Sequence, residues 1–430
     1  MRPVDKDDLQ GNVLCGYGRE YAHGLFLFFR IGRQPRPFAD WLRARIDDIT
    51  KAARWKHKPR STLNVALTSK GLAAMGVPAG LLGTFPEAFR QGMEARAEQL
   101  GDTGDSGPAR WDKRLRGLHG VLTVYARERS VRDERGRELQ AELRGAGVNV
   151  TCAQETDVRR DAREPFGFAD GISQPQIDDP EAGPWDRPGD VAVKPGEFVL
   201  GYMDEGGVIA PEPAWIGASG SYMVVRKLEQ DPDAFWEFVR KESAADSMRP
   251  EWLAAKIVGR WGDGTPLVSS PHAPGGAAGG RARLNDFGYR GDPDGFRCPI
   301  GAHIRRTNPR DALDAEGRFT NRHRLIRRGM PYEEARKRRG LIFVCFQASI
   351  ERQFEFVQSQ WMGDGNAFGL GSDPDFIAGP STGKMTIQGK PPRLVPMQSF
   401  VTTRGGDYFF APGIAALREL TAPEPAADAE

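Results

Sequence analysis

Residues 166 to 174 read Phe-Gly-Phe-Ala-Asp-Gly-Ile-Ser-Gln, and residues 301 to 311 read Gly-Ala-His-Ile-Arg-Arg-Thr-Asn-Pro-Arg-Asp. The first segment places Asp170 in a turn bracketed by Gly167 and Gly171, where the missing side chains let backbone approach a flat ligand closely. The second isolates His303, one of six histidines in the chain. A carboxylate can move a proton and a neutral imidazole can ligate iron. Set on opposite faces of one iron, the pair is what heme-dependent peroxide chemistry needs. Each residue alone also has a plainer reading. Asp170 can be a turn residue bonding its own backbone, and His303 a surface histidine in a basic loop.

Context separates these readings. Glu-Pro-Phe-Gly-Phe-Ala-Asp-Gly-Ile-Ser-Gln-Pro, residues 164 to 175, resembles the distal loop of the dye-decolorizing (DyP-type) peroxidases, and the His303 segment resembles their proximal-histidine stretch. The likeness runs from Leu9-Gln10-Gly11-Asn12-Val13-Leu14 through Gly196 to Tyr202 and ends at Phe400 to Phe410. Ile350 to Gln358 is most similar to the longer bacterial members, usually called type C. The resemblance implies one non-covalent heme b per chain with His303 as its iron ligand. His323, in an arginine-rich stretch, is the rival ligand.

Arg324 to Tyr332 resembles the family's distal-arginine segment and implies that Arg327 faces the peroxide, where a fixed cation stabilises charge on the departing oxygen. Leu341 and Phe343, two apart on an expected strand, share a face and close the distal pocket in this reading. One position departs from the pattern. Related shorter peroxidases have an aspartate after this strand to accept the proximal histidine's ring N–H, whereas Ser349 stands here, leaving Glu351 or Glu355 for that role. The partners implied are hydrogen peroxide and bulky aromatic electron donors such as dyes or phenols. Trp361, Tyr332 and Tyr408 are candidate surface aromatics for passing electrons. A carboxylate titrates near 3.9 and an imidazole near 6.5, so a distal aspartate points to an acidic optimum of roughly pH 3.5 to 5.5.

The elements that must position these groups occur twice. Leu25 to Ile31 reads as a buried strand followed by an amphipathic helix with Phe38, Trp41, Leu42 and Ile46. Tyr222 to Lys227 repeats the plan, with Asp231 as N-cap and Pro232 in the first turn. Strands at Leu63 to Leu67, Val121 to Tyr125 and Leu341 to Phe346 precede helices at about 69–75, 130–143 and 349–361. Two strand-helix-strand-strand-helix-strand units fit this spacing. The expected fold is α+β, two ferredoxin-like halves of the dimeric α+β barrel type, with heme bound mainly in the C-terminal half. The halves are placed at 1–190, including the distal loop, and 195–420. Residues 178–195 read as a linker, 271–281 as a mobile loop and 421–430 as a disordered tail.

A length of 430 residues favours two cores. Sixty Lys plus Arg against 58 Asp plus Glu gives a net charge of +2, which offers no reason to expect nucleic acid or an acidic membrane surface. Four scattered cysteines form neither a zinc spacing nor Cys-x-x-Cys-His, so heme would be held without thioether links. With no apolar leader or long apolar run, the chain reads as soluble and cytoplasmic, and not bound to a membrane. Its oligomeric state is open. Two rival functions remain in view. A heme-thiolate enzyme built on Cys298 has the wrong Gly, Arg and Cys spacing. A heme carrier or heme-iron-releasing protein would share His303 but has no need of Asp170 and Arg327 together.

Overall fold

The structure, a computed structural model, describes residues 2–181, 191–244, 248–275 and 284–423. Strand β1 spans His23–Ile31 and leads into α1, Arg36–Ala44, whose Phe38 and Leu42 are buried. Phe38 packs on Phe29 with ring centroids 5.3 Å apart, each ring worth roughly 1.5–3 kcal/mol of burial. Ile46 lies just beyond the helix in a separate 3-10 turn. β2 (Ser61–Leu67), β3 (Gly120–Ala126), α2 (Arg129–Gly145) and β4 (Val148–Asp157) complete the first half.

The second half repeats it with β5 (Ser221–Gln230) and α3 (Pro232–Ala244). Asp231 caps α3, its Oδ1 accepting the Ala234 N–H at 2.9 Å. Helices α4 (Pro250–Val258) and α5 (His303–Thr307), and then strands β6 (Ile326–Arg327), β7 (Met330–Glu333), β8 (Arg339–Gln347) and β9 (Val401–Ala411), follow. The strands form one sheet in the order β4-β1-β3-β2-β9-β5-β8-β6, with β7 also paired to β8. Each half therefore has the 4-1-3-2 antiparallel order of a ferredoxin-like unit, as the repeated pattern predicts. The halves meet where Phe410 of β9 pairs with Leu67 of β2. Phe85, Phe89, Tyr222 and Phe410 interlock over that seam with centroids 4.9 to 6.3 Å apart.

The helix expected at 349–361 is wound wider, as π-helical runs Ile350–Glu355 and Val357–Gly363. Such turns carry an extra residue each and recur at functional sites. Just before the expected linker, Gln176–Ile177 pairs in parallel with Ala192–Val193 inside it, while 182–190 lies outside the described residues. Residues 276–283 of the expected mobile loop and 424–430 of the tail also lie outside them. Thr421, placed in that tail, is buried, and its carbonyl accepts from Arg43 at 3.3 Å. All four cysteines are buried and free. No helix among the described residues is long and apolar enough to cross a membrane.

Candidate active site

The loop carrying Asp170 is held from both sides. Gly167 and Gly171 have φ of +98° and +67°, the left-handed region that glycine enters without strain. Glu164 accepts the N–H groups of Phe166 and Phe168 at 2.9 Å each, and the side chain of Gln230 from β5 at 2.9 Å. Burial pushes the Glu164 carboxyl up, and the nearby Asp170 adds to the shift. Trp236 of α3 donates to the Phe166 carbonyl at 2.9 Å, and Ala169 N–H to Gly262 at 3.0 Å. Asp170 is thereby presented at an exposed tip that lines the cleft, its Oδ1 accepting from Gly171 N–H at 2.5 Å.

The short helix α5 lines the same cleft. Gly259 ends α4 at φ +96°, and a side chain there would collide with Ile304, so the glycine lets α5 dock. The two arginines after His303 are anchors rather than surface charges. Arg305 donates to the carbonyls of Cys298 and Asp292 at 2.8 Å each. Arg306, fully buried, donates to those of Trp361, Asp373 and Asp364 at 2.5, 2.6 and 2.7 Å. Burial lowers its pKa, and Asp375, Asp373 and Asp364 oppose that.

His303 Nδ1 lies 3.0 Å from Oδ2 of Asp375, whose side chain is fully buried. Asp375 Oδ1 also accepts from Ile377 and Ala378 N–H at 3.0 and 2.8 Å. Burial opposes ionisation of Asp375, yet His303, the Ala378 amide and Arg306 hold its carboxyl below the usual range. A carboxylate on one ring nitrogen fixes the tautomer that leaves the other nitrogen for a metal. This corrects the expectation for Glu351 and Glu355. Glu351 accepts from Ala88 N–H at 2.9 Å, and Glu355 pairs with Arg96 and the Tyr408 hydroxyl, so neither is at His303. Asp375 sits beyond the helix where family analogy placed the acceptor, and only its Asp-Pro-Asp-Phe turn distinguishes it in sequence.

Between these walls is a cleft of about 1050 Å³ lined by His303, Asp170, Gly171, Arg327, Leu341 and Phe343. It exceeds ordinary small-ligand pockets and has room for a large flat group. Leu341 and Phe343 are partly exposed to it while Ile342 and Val344 are buried, as a strand's alternation requires. Gly167 does not line it; its carbonyl takes Arg163 at 2.6 Å, so it shapes the loop from behind. Arg327 Nη2 donates to the Ser173 carbonyl at 2.7 Å. Arg328, by contrast, grips the carbonyls of Val13 and Leu14 at 3.2 and 2.7 Å.

His323 also reaches the cleft, but its Nδ1 is 2.5 Å from the Arg352 carbonyl and its ring stacks on Phe356 at 4.1 Å. Arg260, which no sequence pattern marks, and Arg310, from the end of the His303 segment, line the same cleft. Burial pushes Arg260 down to about 10, with Arg310 and Arg327 adding to the shift, so the wall is cationic. That suits a cofactor bearing carboxylates. Trp361, Tyr332 and Tyr408 are only 5%, 3% and 0% exposed, which corrects their reading as surface aromatics. Each is wide and apolar enough that packing against neighbouring rings or strands buries it.

This combination of duplicated ferredoxin-like sheet, a cleft-facing imidazole held by a buried carboxylate, and an acid and a cation on the same cleft defines a heme-peroxidase type of site. Residues 8–160 match the family description "DyP dimeric alpha+beta barrel domain", and 256–370 match "Dyp-type peroxidase, C-terminal". The chain belongs to the DyP-type peroxidases. It is 31% identical to the multifunctional dye peroxidase DyP2 of an Amycolatopsis species, covering 96% of this chain and 95% of that protein. Among solved structures, an ancestral D-type dye-decolorizing peroxidase superposes with a TM-score of 0.85 at 30% identity, covering 98% and 100% of the two chains. A Yersinia pestis deferrochelatase is 27% identical over only 48% of this chain and 35% of its own.

Proposed function

We propose that this peroxidase binds one heme b without covalent links through His303 Nε2, reduces hydrogen peroxide with Asp170 and Arg327, and draws electrons from bulky aromatic donors such as dyes or phenols. The observation carrying this reading is the cleft-facing His303 with its Nδ1 held by the buried Asp375. Arg260 and Arg310 supply positive charge for the cofactor's two propionates. When bound, heme supplies a redox-active iron and a π-system that store the two oxidising equivalents of peroxide.

The chain's own residues do the rest. Asp170 would take a proton from one peroxide oxygen and return it to the other, which would leave as water, with the remaining oxygen and the two oxidising equivalents left to bound heme. Arg327 stabilises the negative charge that builds on that departing oxygen, a contribution of about 3 kcal/mol for one preorganised donor. Leu341 and Phe343 narrow the approach so that peroxide enters and larger oxidants do not. Asp375 keeps the His303 ring fixed and electron-rich.

Two variants test this. His303→Ala should lose the Soret band and all peroxidase activity. Arg327→Leu should bind heme normally but react with peroxide about a hundredfold more slowly, measured by stopped flow at the Soret band. A heme carrier or iron-releasing protein would show the first effect without the second. The sequence boundaries 1–190 and 195–420 remain our proposal for the two halves.

A further inference from the structure

Gln174 is buried at the end of the distal loop, 9% exposed, and its carboxamide faces the backbone of one residue only. Nε2 donates to the Arg327 carbonyl at 3.0 Å, and Oε1 accepts the Arg327 N–H at 3.0 Å. The amide group thus occupies the outer edge of β6 as a neighbouring strand would, satisfying both polar groups of the residue it grips. The Arg327 side chain then returns to the same loop, bonding the carbonyl of Ser173, next door to Gln174. Three bonds close a ring that fixes Arg327 from backbone to guanidinium.

The chain uses the same device once more. Gln10 Nε2 donates to the Val65 carbonyl at 2.8 Å and Oε1 accepts Val65 N–H at 2.9 Å, on β2, the corresponding second strand of the first half. There the gripped residue is a buried apolar one. Only in the second half does the clamp hold a cation at the cleft.

We propose that Gln174 is the positioning residue for Arg327, holding its guanidinium over the cleft so that the cation is already in place when charge develops. This rests on the reading of Arg327 given above. A side chain as long as arginine loses considerable rotamer freedom when ordered, and a backbone free to rotate would spread its charge over many positions. The clamp removes the backbone part of that freedom before any ligand arrives.

The test compares Gln174→Met, Arg327→Leu and the double variant in the heme-loaded protein. Fluoride, a small anion that ligates ferric iron and accepts hydrogen bonds from a cation above it, is titrated at the Soret band. Gln174→Met should retain heme, weaken fluoride binding about tenfold and slow the peroxide reaction by a similar factor. In the Arg327→Leu background the same change should cost nothing further, because its effect passes through Arg327. In the chain without heme, hydrogen exchange at the Arg327 amide should speed up at least about tenfold. Unchanged fluoride affinity in Gln174→Met, or an equal loss on the Arg327→Leu background, would overturn the proposal. Should Gln174→Met lose heme, Gln174→Glu carries the test, since it keeps the acceptor and sets a charged oxygen, in place of the donor, against the Arg327 carbonyl. Loss of heme in both would make Gln174 a fold-holding residue and overturn the role. If Arg327→Leu itself binds fluoride and reacts normally, the reading of Arg327 fails and the clamp has nothing to position.

Discussion

Asp375 is the residue that holds His303 in place at the cleft. Its charge sits beside the His303 ring in a fully buried position, so water does not screen it. Asp375→Asn keeps an oxygen able to accept the ring N–H while deleting the charge. Losing a negative charge near iron favours the reduced metal. The expected outcome is a rise in the one-electron reduction potential, about 60 mV for each tenfold shift of the equilibrium toward the reduced form. Spectroelectrochemistry of the heme-loaded variant checks this, with Glu351→Gln expected to leave the potential unchanged. Residue identity was legible in sequence wherever chemistry and loop geometry coincide in a short stretch, as at Asp170 and His303. Asp375 was not, because it reaches His303 from 72 positions along the chain and no local pattern marks a side chain chosen by tertiary contact. Arg260 escaped notice for the same reason.

At the level of elements, α5 has only five residues and cannot be stable by its own hydrogen bonds. Arg306 compensates by bonding three carbonyls of the segment that also delivers Asp375. Lysine has one ammonium and no planar fork, so Arg306→Lys leaves buried carbonyls unpaired. We expect a loss of about 2–3 kcal/mol in urea unfolding and weaker heme retention. β9 is tied down differently. Asp407 accepts Met93 N–H at 3.1 Å and Tyr408 N–H at 2.9 Å, and burial pushes its carboxyl up to about 6. A carboxyl raised in the fold keeps its proton after the unfolded chain has released it, near pH 4. Stability from this group is therefore fully present below about pH 4 and lost as pH rises to about 6, by at most about 3 kcal/mol. Asp407→Asn should flatten that part of the curve, measured by urea unfolding between pH 4 and 6.5. The strands and most helices were legible because their apolar period survives burial, but the π-helical winding after β8 has no such signature. Its residues alternate apolar and polar much as an ordinary helix would.

For the whole molecule, the decisive feature is the seam between halves. One backbone pair and four interlocked aromatic rings join two half-sheets into one. Shared packing of this kind couples the halves, so we expect a single cooperative unfolding transition in calorimetry despite the two ferredoxin-like units. Phe410→Ala should cost about 3–5 kcal/mol and split that transition in two. The duplication itself was readable from the repeated strand-helix plan. That the copies share a sheet was not, since Leu67 and Phe410 are ordinary strand residues whose pairing only the folded chain reveals.

The two glutamine clamps also bear on how the protein is made. During synthesis the first half is complete at Asp157, while β9, its neighbour in the sheet, begins only at Val401. That is a wait of roughly 12 to 50 s at usual ribosomal speeds. A nascent half-sheet with a bare outer strand would invite other chains to pair with it. β2 is not bare. Gln10 covers Val65, and Thr50 covers Leu63, accepting its N–H on the hydroxyl at 3.0 Å and donating its own N–H to the Leu63 carbonyl at 2.8 Å. Both guards leave the ribosome before the strand they protect, and its Leu67 end is the part that pairs with Phe410.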